Sequence, residues 1–96
     1  MKEFQEGKAI FKANLSGKDK GPGKINGVFY NPAMKLSRDL HVAFAQQFDF
    51  HGVMLDGLAA SGVRGIRLAL EAETKVEFCD NSRLAVDTIT SNLEMN

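Results

Sequence analysis

Two aspartates close successive apolar segments of the chain, and small residues fill the turn between them. Asp56 ends the first segment, Asp80 ends the second, and Gly57 and Gly62 lie in the intervening turn. A carboxylate at the tip of a strand can accept hydrogen bonds from both hydroxyls of a ribose. Glycines let the backbone approach a ligand closely, and the start of the following helix presents N–H groups to polar or anionic atoms. This order of strand, turn, helix and acid-tipped strand is typical of a nucleotide-binding α/β fold.

Dinucleotides and S-adenosylmethionine are the two ligand classes that suit such a unit. The turn lacks the G-x-G-x-x-G spacing that places a pyrophosphate over a helix N-terminus, because Gly57 follows an acid and Gly62 lies five residues later. This looser spacing favours S-adenosylmethionine, which carries an amino-acid tail and no phosphate. Three alternatives remain open: an NAD-binding oxidoreductase domain, a non-enzymatic RNA-binding module, and an α/β turn without a ligand.

The elements that position these residues are predicted from hydrophobic periodicity and turn residues. Asn31 and Pro32 supply a cap and a first helical position, which predicts a helix from Ala33 onward. The predicted elements are a strand or hairpin arm in 7–15, a loop in 16–26, a helix in 33–48, a strand in 53–56, a helix in 62–71, a strand in 75–80 and a final helix capped by Asn81 or Ser82.

Apolar residues recur along these elements and mark the sides that we expect to pack. They are Ala9, Phe11, Ala13 and Leu15 in the first strand, Leu36, Leu40, Ala43, Phe44 and Phe48 in the first helix, Ile66 and Leu70 in the second, and Ala85, Ile89 and Leu93 in the third. Cys79 is expected to be a small core residue. Two parallel strands do not complete a sheet, so we expect an exposed strand edge, an exposed apolar helix face, and marginal stability or self-association.

Charge is balanced overall but unevenly distributed. Residues 1–40 carry eight basic and four acidic side chains (+4), and residues 41–96 carry four and eight (−4). A basic N-terminal part ahead of an acidic nucleotide-binding unit suits an RNA substrate, although solvated loop lysines explain the same count. The length allows one domain, no apolar run approaches a membrane span, and the polar N-terminus predicts a cytoplasmic protein.

Four stretches of the sequence resemble one enzyme family, the tRNA guanine-26 dimethyltransferases. They are GVFYNPAMKLSRDL (27–40), LDGLAASGVRGIRLALE (55–71), the N-terminal EGKA (6–9) and the closing NLEMN (92–96). The resemblance implies an α/β fold, the N-terminal portion of a Rossmann-like class I methyltransferase, with an incomplete parallel sheet and flanking helices. It divides the chain into a β segment with a basic loop, 1–30, and the first half of the S-adenosylmethionine-binding domain, 31–96.

The implied reaction transfers methyl groups from S-adenosylmethionine to the exocyclic amine of guanine 26 in tRNA, giving mono- and then dimethylguanosine. Family members run to several hundred residues and carry an Asp-Pro-Phe type motif after a later strand, which this sequence lacks. We therefore expect no catalytic residue here and a piece that is inactive alone. Its expected partners are tRNA and the remainder of the domain or a second copy, without a membrane. No metal is expected, because His41 and His51 lie ten residues apart without a partnering cysteine or acid cluster.

Arg38, Arg64 and Asp80 match S-adenosylmethionine-binding positions in the resemblance. Asp80 would take the ribose hydroxyls, and the arginines would pair with the methionine carboxylate or fix the loop around it. On spacing alone, Arg38 fits a surface ion pair equally well, and Arg64 fits a solvated helix start. The other expected cofactor-binding residues are Asp56, Gly57, Ser61 and Gly62. Asp56 is expected to hold the turn by bonding to backbone N–H groups, and contact with the ligand amino group is the alternative.

Phe29, Tyr30 and Asn31 form a second expected group, for the substrate. An enzyme that acts on a base must hold it between flat or apolar surfaces, and an exposed aromatic pair ahead of the helix could supply one wall. Packing of both rings onto the helix face is the alternative. Ser37 and Cys79 depart from the residues usual in the family and adjoin expected ligand residues, so affinity can differ without a change of fold.

Overall fold

A computed structural model describes residues 1–15, 28–48 and 52–96 of the chain. Its elements are strands β1 (Lys2–Glu6), β2 (Ala9–Leu15) and β3 (Phe29–Tyr30), a 3-10 turn (Pro32–Met34), helix α1 (Lys35–Gln47), strand β4 (Val53–Asp56), helix α2 (Val63–Ala72), strand β5 (Lys75–Phe78) and helix α3 (Arg83–Glu94). Each predicted helix and strand is present, with ends within about two residues of the predicted bounds. The loop predicted in 16–26 and His51 lie outside the described residues.

The N-terminal residues form an antiparallel hairpin, of which the sequence pattern indicated one arm. β1 pairs with β2, with Phe4 opposite Phe11, and β3 adds to the other side of β2 in parallel. The connecting turn holds Gly7 at φ 56°, a left-handed conformation that favours glycine. A Cβ at this position would overlap the Glu71 carboxylate, so the hairpin packs closely against α2.

Strands β4 and β5 form the predicted parallel pair, and α2 is the helix that connects them. Their register places Val53 opposite Lys75 and Asp56 opposite Phe78. The carboxyl ends of parallel strands lie at the same edge of a sheet, which is where α/β proteins bind ligands. α2 lies tightly on β5, because a Cβ on Gly65 would overlap the Phe78 ring. The pair and its helix therefore bring the two acid-bearing strand ends together.

Two clusters of buried side chains hold these layers together. The larger joins the hairpin to α2 through Ala9, Phe11, Ala13, Tyr30, Val63 and Ile66. The smaller packs α1 against α2 through Val42, Ala45 and Leu68. α2 contributes to both clusters, so the described part of the chain is organised around it. The domain boundary at residue 30 stays a prediction, and the larger cluster contains residues from both sides of it.

Two asparagines cover one edge of β2, Asn92 in helix α3 and Asn96 two residues beyond its end. Asn92 accepts from the Lys12 N–H at 2.8 Å and donates to the Lys12 carbonyl at 3.1 Å. Asn96 makes the same pair of bonds with Ile10, at 3.0 and 2.7 Å. The Asn96 amide also donates to the Asn92 carbonyl at 2.7 Å, which holds the two side chains side by side along β2. The two side-chain amides therefore take the place of a neighbouring strand.

The predicted apolar side of α1 is exposed. Leu36, Leu40, Phe44 and Phe48 are between 58% and 68% exposed, and the Phe44 and Phe48 rings lie 4.4 Å apart. The buried residues of this helix are Arg38, Val42 and Ala45. α2 packs on their side, and no element of the described residues covers the apolar side. The incomplete sheet led us to expect an uncovered apolar helix face. Leu36, Leu40, Phe44 and Phe48 form such a face, whereas their periodicity had predicted that they pack in the core.

Three other predictions of burial are wrong. Cys79 is an exposed free cysteine, because β5 ends one residue before it and the chain has already left the sheet. Leu93 is 44% exposed, and the fully buried residue in that turn of α3 is its polar neighbour Asn92. Leu15 is 41% exposed because it lies at the end of β2.

The described residues, 1–15, 28–48 and 52–96, include no helix that is long and apolar enough to cross a membrane. They also include no group of three or more side chains that could hold a metal ion.

Candidate cofactor-binding site

An open cavity of about 180 Å³ lies at the carboxyl end of β4. One wall comes from β3 and α1, and the other from the turn after β4 and the first turn of α2. The lining residues are Phe29, Tyr30, Asn31, Arg38, Asp56, Leu58, Ala59, Ala60, Ser61, Val63 and Arg64. Seven of the ten residues expected from the sequence to bind cofactor or substrate are among them, and Gly57, Gly62 and Asp80 are not.

The turn that begins at Gly57 is shaped by backbone hydrogen bonds and by two left-handed residues. Ala60 has φ 49° and Gly62 has φ 85°. The Gly62 N–H donates to the Ala59 carbonyl at 2.7 Å, and the Ala59 N–H donates to the Cys79 carbonyl at 3.0 Å, which ties the turn to the end of β5. A non-glycine residue in this conformation costs ~1–2 kcal/mol, and such strain is typical of ligand sites.

The two glycines of the turn have different roles. A Cβ on Gly57 would meet nothing within 4 Å, so this position leaves open space. A Cβ on Gly62 would lie 3.4 Å from Ile66 and 3.5 Å from Ile89, so this position faces the core. The positive φ is what favours glycine at position 62, and the expectation that its backbone lies beside a ligand stays a prediction.

Asp80 lies beside the turn, two residues beyond the end of β5. Its Oδ2 accepts a hydrogen bond from the Ala60 N–H and its Oδ1 accepts one from the Ser82 N–H, both at 3.0 Å. Each carboxylate oxygen has a second acceptor site, so these bonds leave capacity for a ligand hydroxyl. The carboxylate therefore adjoins the bend, as the ribose hypothesis requires, and it also holds the turn.

Asp56 lines the cavity and has a buried oxygen without a partner. Its Oδ2 is the one buried side-chain oxygen or nitrogen in the described residues that lacks a hydrogen bond. Burial raises the pKa of Asp56, while the charge of Arg64 and the Gly65 N–H act in the opposite direction. The Gly65 N–H fits the backbone-holding role expected for Asp56, and the unpaired oxygen of Asp56 leaves contact with a ligand amino group as the alternative. A buried acceptor left unpaired costs ~1–3 kcal/mol, so this oxygen is the place where a ligand donor gains most.

Arg64 reaches from the first turn of α2 toward α1. Its Nη1 lies 3.3 Å from His41 Nδ1, and its Nη2 donates to Ser37 Oγ at 3.4 Å. Within the described part of the chain no carboxylate forms an ion pair with it. The solvated helix start considered from the sequence is therefore replaced by a half-buried cation that bridges two helices at the cavity wall.

Arg38 is buried and pairs with Glu6 of β1. Its Nε and Nη2 donate to the two carboxylate oxygens of Glu6, both at 2.7 Å, and Nη2 also donates to the Asn31 carbonyl at 2.9 Å. The guanidinium lies over the Tyr30 ring, 5.0 Å from its centroid. The surface ion pair considered for Arg38 is thus a buried, bidentate one, in a residue that also lines the cavity.

Glu6 is the centre of a network that periodicity did not reveal. It is 2% exposed and also accepts hydrogen bonds from Arg67 Nη1 at 2.9 Å and from the Tyr30 hydroxyl at 2.7 Å. Burial alone would raise the pKa of Glu6, but the hydrogen bonds from Arg38, Tyr30 and Arg67 outweigh it and lower the pKa to about 2. The carboxylate is therefore ionised at neutral pH and lies between two arginines.

Arg67 extends this network along α2. Besides Glu6 it binds Asp39 at 2.6 Å through Nη1, and Glu71 at 2.8 and 3.0 Å through Nε and Nη2. A signal for this role was present in the sequence, because Arg67 lies four residues after Val63 on the packed face of the helix and four before Glu71.

Tyr30 is buried in an aromatic cluster. Its ring centroid lies 5.0 Å from that of Phe4 and 4.9 Å from that of Phe11. Tyr30 is 7% exposed, so it is not the exposed wall that was considered, and its ring packs both on the hairpin and under the Arg38 guanidinium of α1. Asn31 caps the 3-10 turn, its Oδ1 accepting the N–H two residues on at 3.0 Å. Phe29 is half-buried and lines the cavity, so it remains the member of the group that fits a flat wall.

A family model described as N2,N2-dimethylguanosine tRNA methyltransferase matches residues 10–96. The chain belongs to this family. The resemblance carried by the four sequence stretches is therefore confirmed. One relative of the chain is the tRNA (guanine(26)-N(2))-dimethyltransferase of Archaeoglobus fulgidus, which is 48% identical over 73 residues. The match covers 76% of this chain and 21% of that protein. That of Thermoplasma volcanium is 40% identical over 76 residues, covering 79% and 22%.

A solved structure of the family is similar over the whole chain. It is the complex of Trm1 from Pyrococcus horikoshii with S-adenosyl-L-methionine, with a TM-score of 0.80 and 38% identity, covering 100% of this chain and 24% of that one. This similarity confirms the α/β, Rossmann-like methyltransferase fold expected from the sequence. The chain spans roughly a fifth to a quarter of the length of the family members it matches.

Proposed function

We propose that the cavity binds the amino-acid end of S-adenosylmethionine, with the ribose of the donor at the end of β5. The observation that carries the proposal is the meeting of an unpartnered buried carboxylate oxygen, in Asp56, with two arginines at one cavity. The amino-acid end of the donor carries an ammonium group and a carboxylate, the charges that these side chains complement. The Trm1 structure, which contains S-adenosyl-L-methionine, supports the choice of ligand.

Each expected residue has a place in this proposal. Asp56 would accept from the ammonium group, and Arg38 and Arg64 would bind the carboxylate. Asp80 would take the ribose hydroxyls while it holds the turn through Ala60. Gly57 and Ser61 would lie beside the ligand with their backbone atoms, and Gly62 would shape the turn.

The parent protein is proposed to be a tRNA guanine-26 dimethyltransferase, as the names of the relatives suggest. S-adenosylmethionine supplies a methyl group on a sulfonium centre, which the exocyclic amine of guanine would receive twice. This chain would contribute donor binding and, through Phe29, one surface of the approach to the base. We assign no catalytic residue to it and expect no methyl transfer from the 96 residues alone. A cytoplasmic location remains part of the proposal.

The exposed side of α1 and the open edge of the β4–β5 pair bear on the partners of the chain. We propose that they pack against the remainder of the methyltransferase domain, or against a second copy when the chain is alone. Sedimentation velocity at increasing concentration tests this part of the proposal, and a monomer with a sharp two-state melt would contradict it.

Calorimetric titration of the chain with S-adenosylhomocysteine and with NAD tests the proposed ligand. We expect binding of S-adenosylhomocysteine and none of NAD. Asp56→Asn should weaken the binding of S-adenosylhomocysteine about 10- to 100-fold, because a charge-assisted hydrogen bond contributes ~1.5–3 kcal/mol. Asp87→Asn is the matched control, since this carboxylate is exposed on α3 and pairs only with Arg83 in the described residues.

Two results would point elsewhere. Binding of NAD alone would refute the proposal and favour an oxidoreductase domain. Salt-sensitive binding of tRNA that survives Asp80→Ala, without binding of S-adenosylhomocysteine, would favour a non-enzymatic RNA-binding module.

A further inference from the structure

Glu6 does not line the cavity, yet it holds a residue that does. It lies at the end of β1, and 32 residues separate it from Arg38. Two parallel hydrogen bonds of 2.7 Å join the Nε–Nη2 edge of the guanidinium to the carboxylate. This fork geometry fixes the plane of the guanidinium as well as its position, which a single bond would not do.

Further contacts fix the pair itself. The Tyr30 hydroxyl and Arg67 hold the Glu6 carboxylate from other directions, at 2.7 and 2.9 Å. The Tyr30 ring lies under the Arg38 guanidinium, and the Asn31 carbonyl accepts from Nη2. Glu6 and Arg38 are 2% and 5% exposed, so water does not compete for these bonds. The orientation in which Arg38 meets the cavity is therefore set before any ligand arrives.

We propose that Glu6 is a positioning residue, which orients Arg38 for the carboxylate of the donor's amino-acid end and so selects ligands that carry this end. The inference depends on the proposed function, because it needs S-adenosylmethionine or its product in the cavity. The Glu6 carboxylate also competes with a ligand carboxylate for Arg38. Removal of the Glu6 charge therefore weakens donor binding if orientation dominates, and strengthens it if competition dominates.

Two ligands that share the adenosyl group separate these possibilities. S-adenosylhomocysteine has the amino-acid end and 5′-methylthioadenosine lacks it. We expect Glu6→Gln to weaken the binding of S-adenosylhomocysteine about tenfold and to change the affinity for 5′-methylthioadenosine by less than twofold. Glu6→Asp keeps the charge but is one methylene shorter, so it should lose less affinity for S-adenosylhomocysteine. Asp87→Asn is the control, because Asp87 is exposed on α3 and pairs only with Arg83 in the described residues, and it should change the affinity for neither ligand.

The possible results are distinguishable by calorimetric titration of each variant. Equal losses of both ligands in Glu6→Gln would show a merely structural role and overturn the inference, as would tighter binding of S-adenosylhomocysteine. Equal affinities of the unaltered chain for the two ligands would also overturn it, because Arg38 would then not read the amino-acid end. Failure of the unaltered chain to bind S-adenosylhomocysteine would instead refute the proposed function.

Discussion

Replacing Asn92 by alanine should destabilise the chain far more than the same change at Asn96, although both asparagines bind β2 in the same way. Asn92 is fully buried, and besides Lys12 it donates to the Ser61 carbonyl at 2.8 Å. Asn96 is exposed, and its bonds to Ile10 lie at the surface. Water can replace the lost bonds at Ile10, but it cannot reach the Ser61 carbonyl without opening the core.

The magnitude follows from which groups lose their partners. Loss of Asn92 leaves the buried Ser61 carbonyl unpaired, at ~1–3 kcal/mol, and removes two part-buried bonds to Lys12 worth ~0.5–1.5 kcal/mol each. Partial hydration of the Lys12 groups reduces the sum, so we expect a loss of about 2–4 kcal/mol for Asn92→Ala. For Asn96→Ala we expect less than ~1 kcal/mol, as for other exposed hydrogen bonds.

Urea unfolding followed by far-ultraviolet circular dichroism, at two protein concentrations, measures both changes. Because Ser61 lies in the turn that lines the cavity, Asn92→Ala should also weaken S-adenosylhomocysteine more than Asn96→Ala does. Equal shifts of the urea midpoint in the two variants, at unchanged slope, would refute the reasoning. Such a result would mean that α3 contributes only its position along β2 and not the buried amide.

Two further predictions concern Glu6 and the glycines. The pKa of Glu6 is lowered from 4.5 to about 2. Its contribution to the stability of the fold is therefore complete above pH 4.5 and is lost as the pH falls toward 2. At ~1.4 kcal/mol per pKa unit, this contribution amounts to about 3 kcal/mol. Urea unfolding between pH 6 and 3 should therefore show a smaller pH dependence for Glu6→Gln than for the unaltered chain, and parallel curves would contradict this. Gly65→Ala should cost ~1–3 kcal/mol, because its Cβ would overlap the Phe78 ring, whereas Gly57→Ala meets open space and should stay within ~0.5 kcal/mol. Thermal melts of the two variants check this pair, and equal stabilities would contradict the close packing of α2 on β5.

The elements could be predicted because their signals are local. The alternation in 9–13, the Asn31-Pro32 cap, the strand that ends at Asp56 and the Ser82 cap each lie within a few residues, and the structure contains them all. The position of Asp80 beside the turn also followed, since parallel strands must end at the same edge. Local pattern and parallel topology were therefore sufficient for the cavity and for most of its lining.

The polar interior could not be predicted in this way. Arg38 was expected to bind the ligand or to form a surface ion pair, and Arg67 was not singled out, because the carboxylate that neutralises them is 32 and 61 residues away. The packed side of α1 was missed for the same reason, since its buried stripe begins with an arginine and its more apolar stripe faces outward. Asn92 satisfies backbone groups 80 and 31 residues distant, a pairing that no pattern within one helix encodes. Each failure concerns a polar residue whose burial depends on a partner from another element.

The same long-range contacts couple the hairpin to the cavity. Glu6 is the hairpin's only carboxylate bonded to Arg38 in the described residues, and without it two buried guanidinium groups would lose their shared counter-charge. Leaving one member of a buried ion pair unpaired costs ~3–5 kcal/mol. A ligand that binds Arg38 in its present orientation therefore binds best to the state in which β1 is docked. By thermodynamic linkage, donor binding would stabilise the docked hairpin, and the docked hairpin would raise the affinity for the donor.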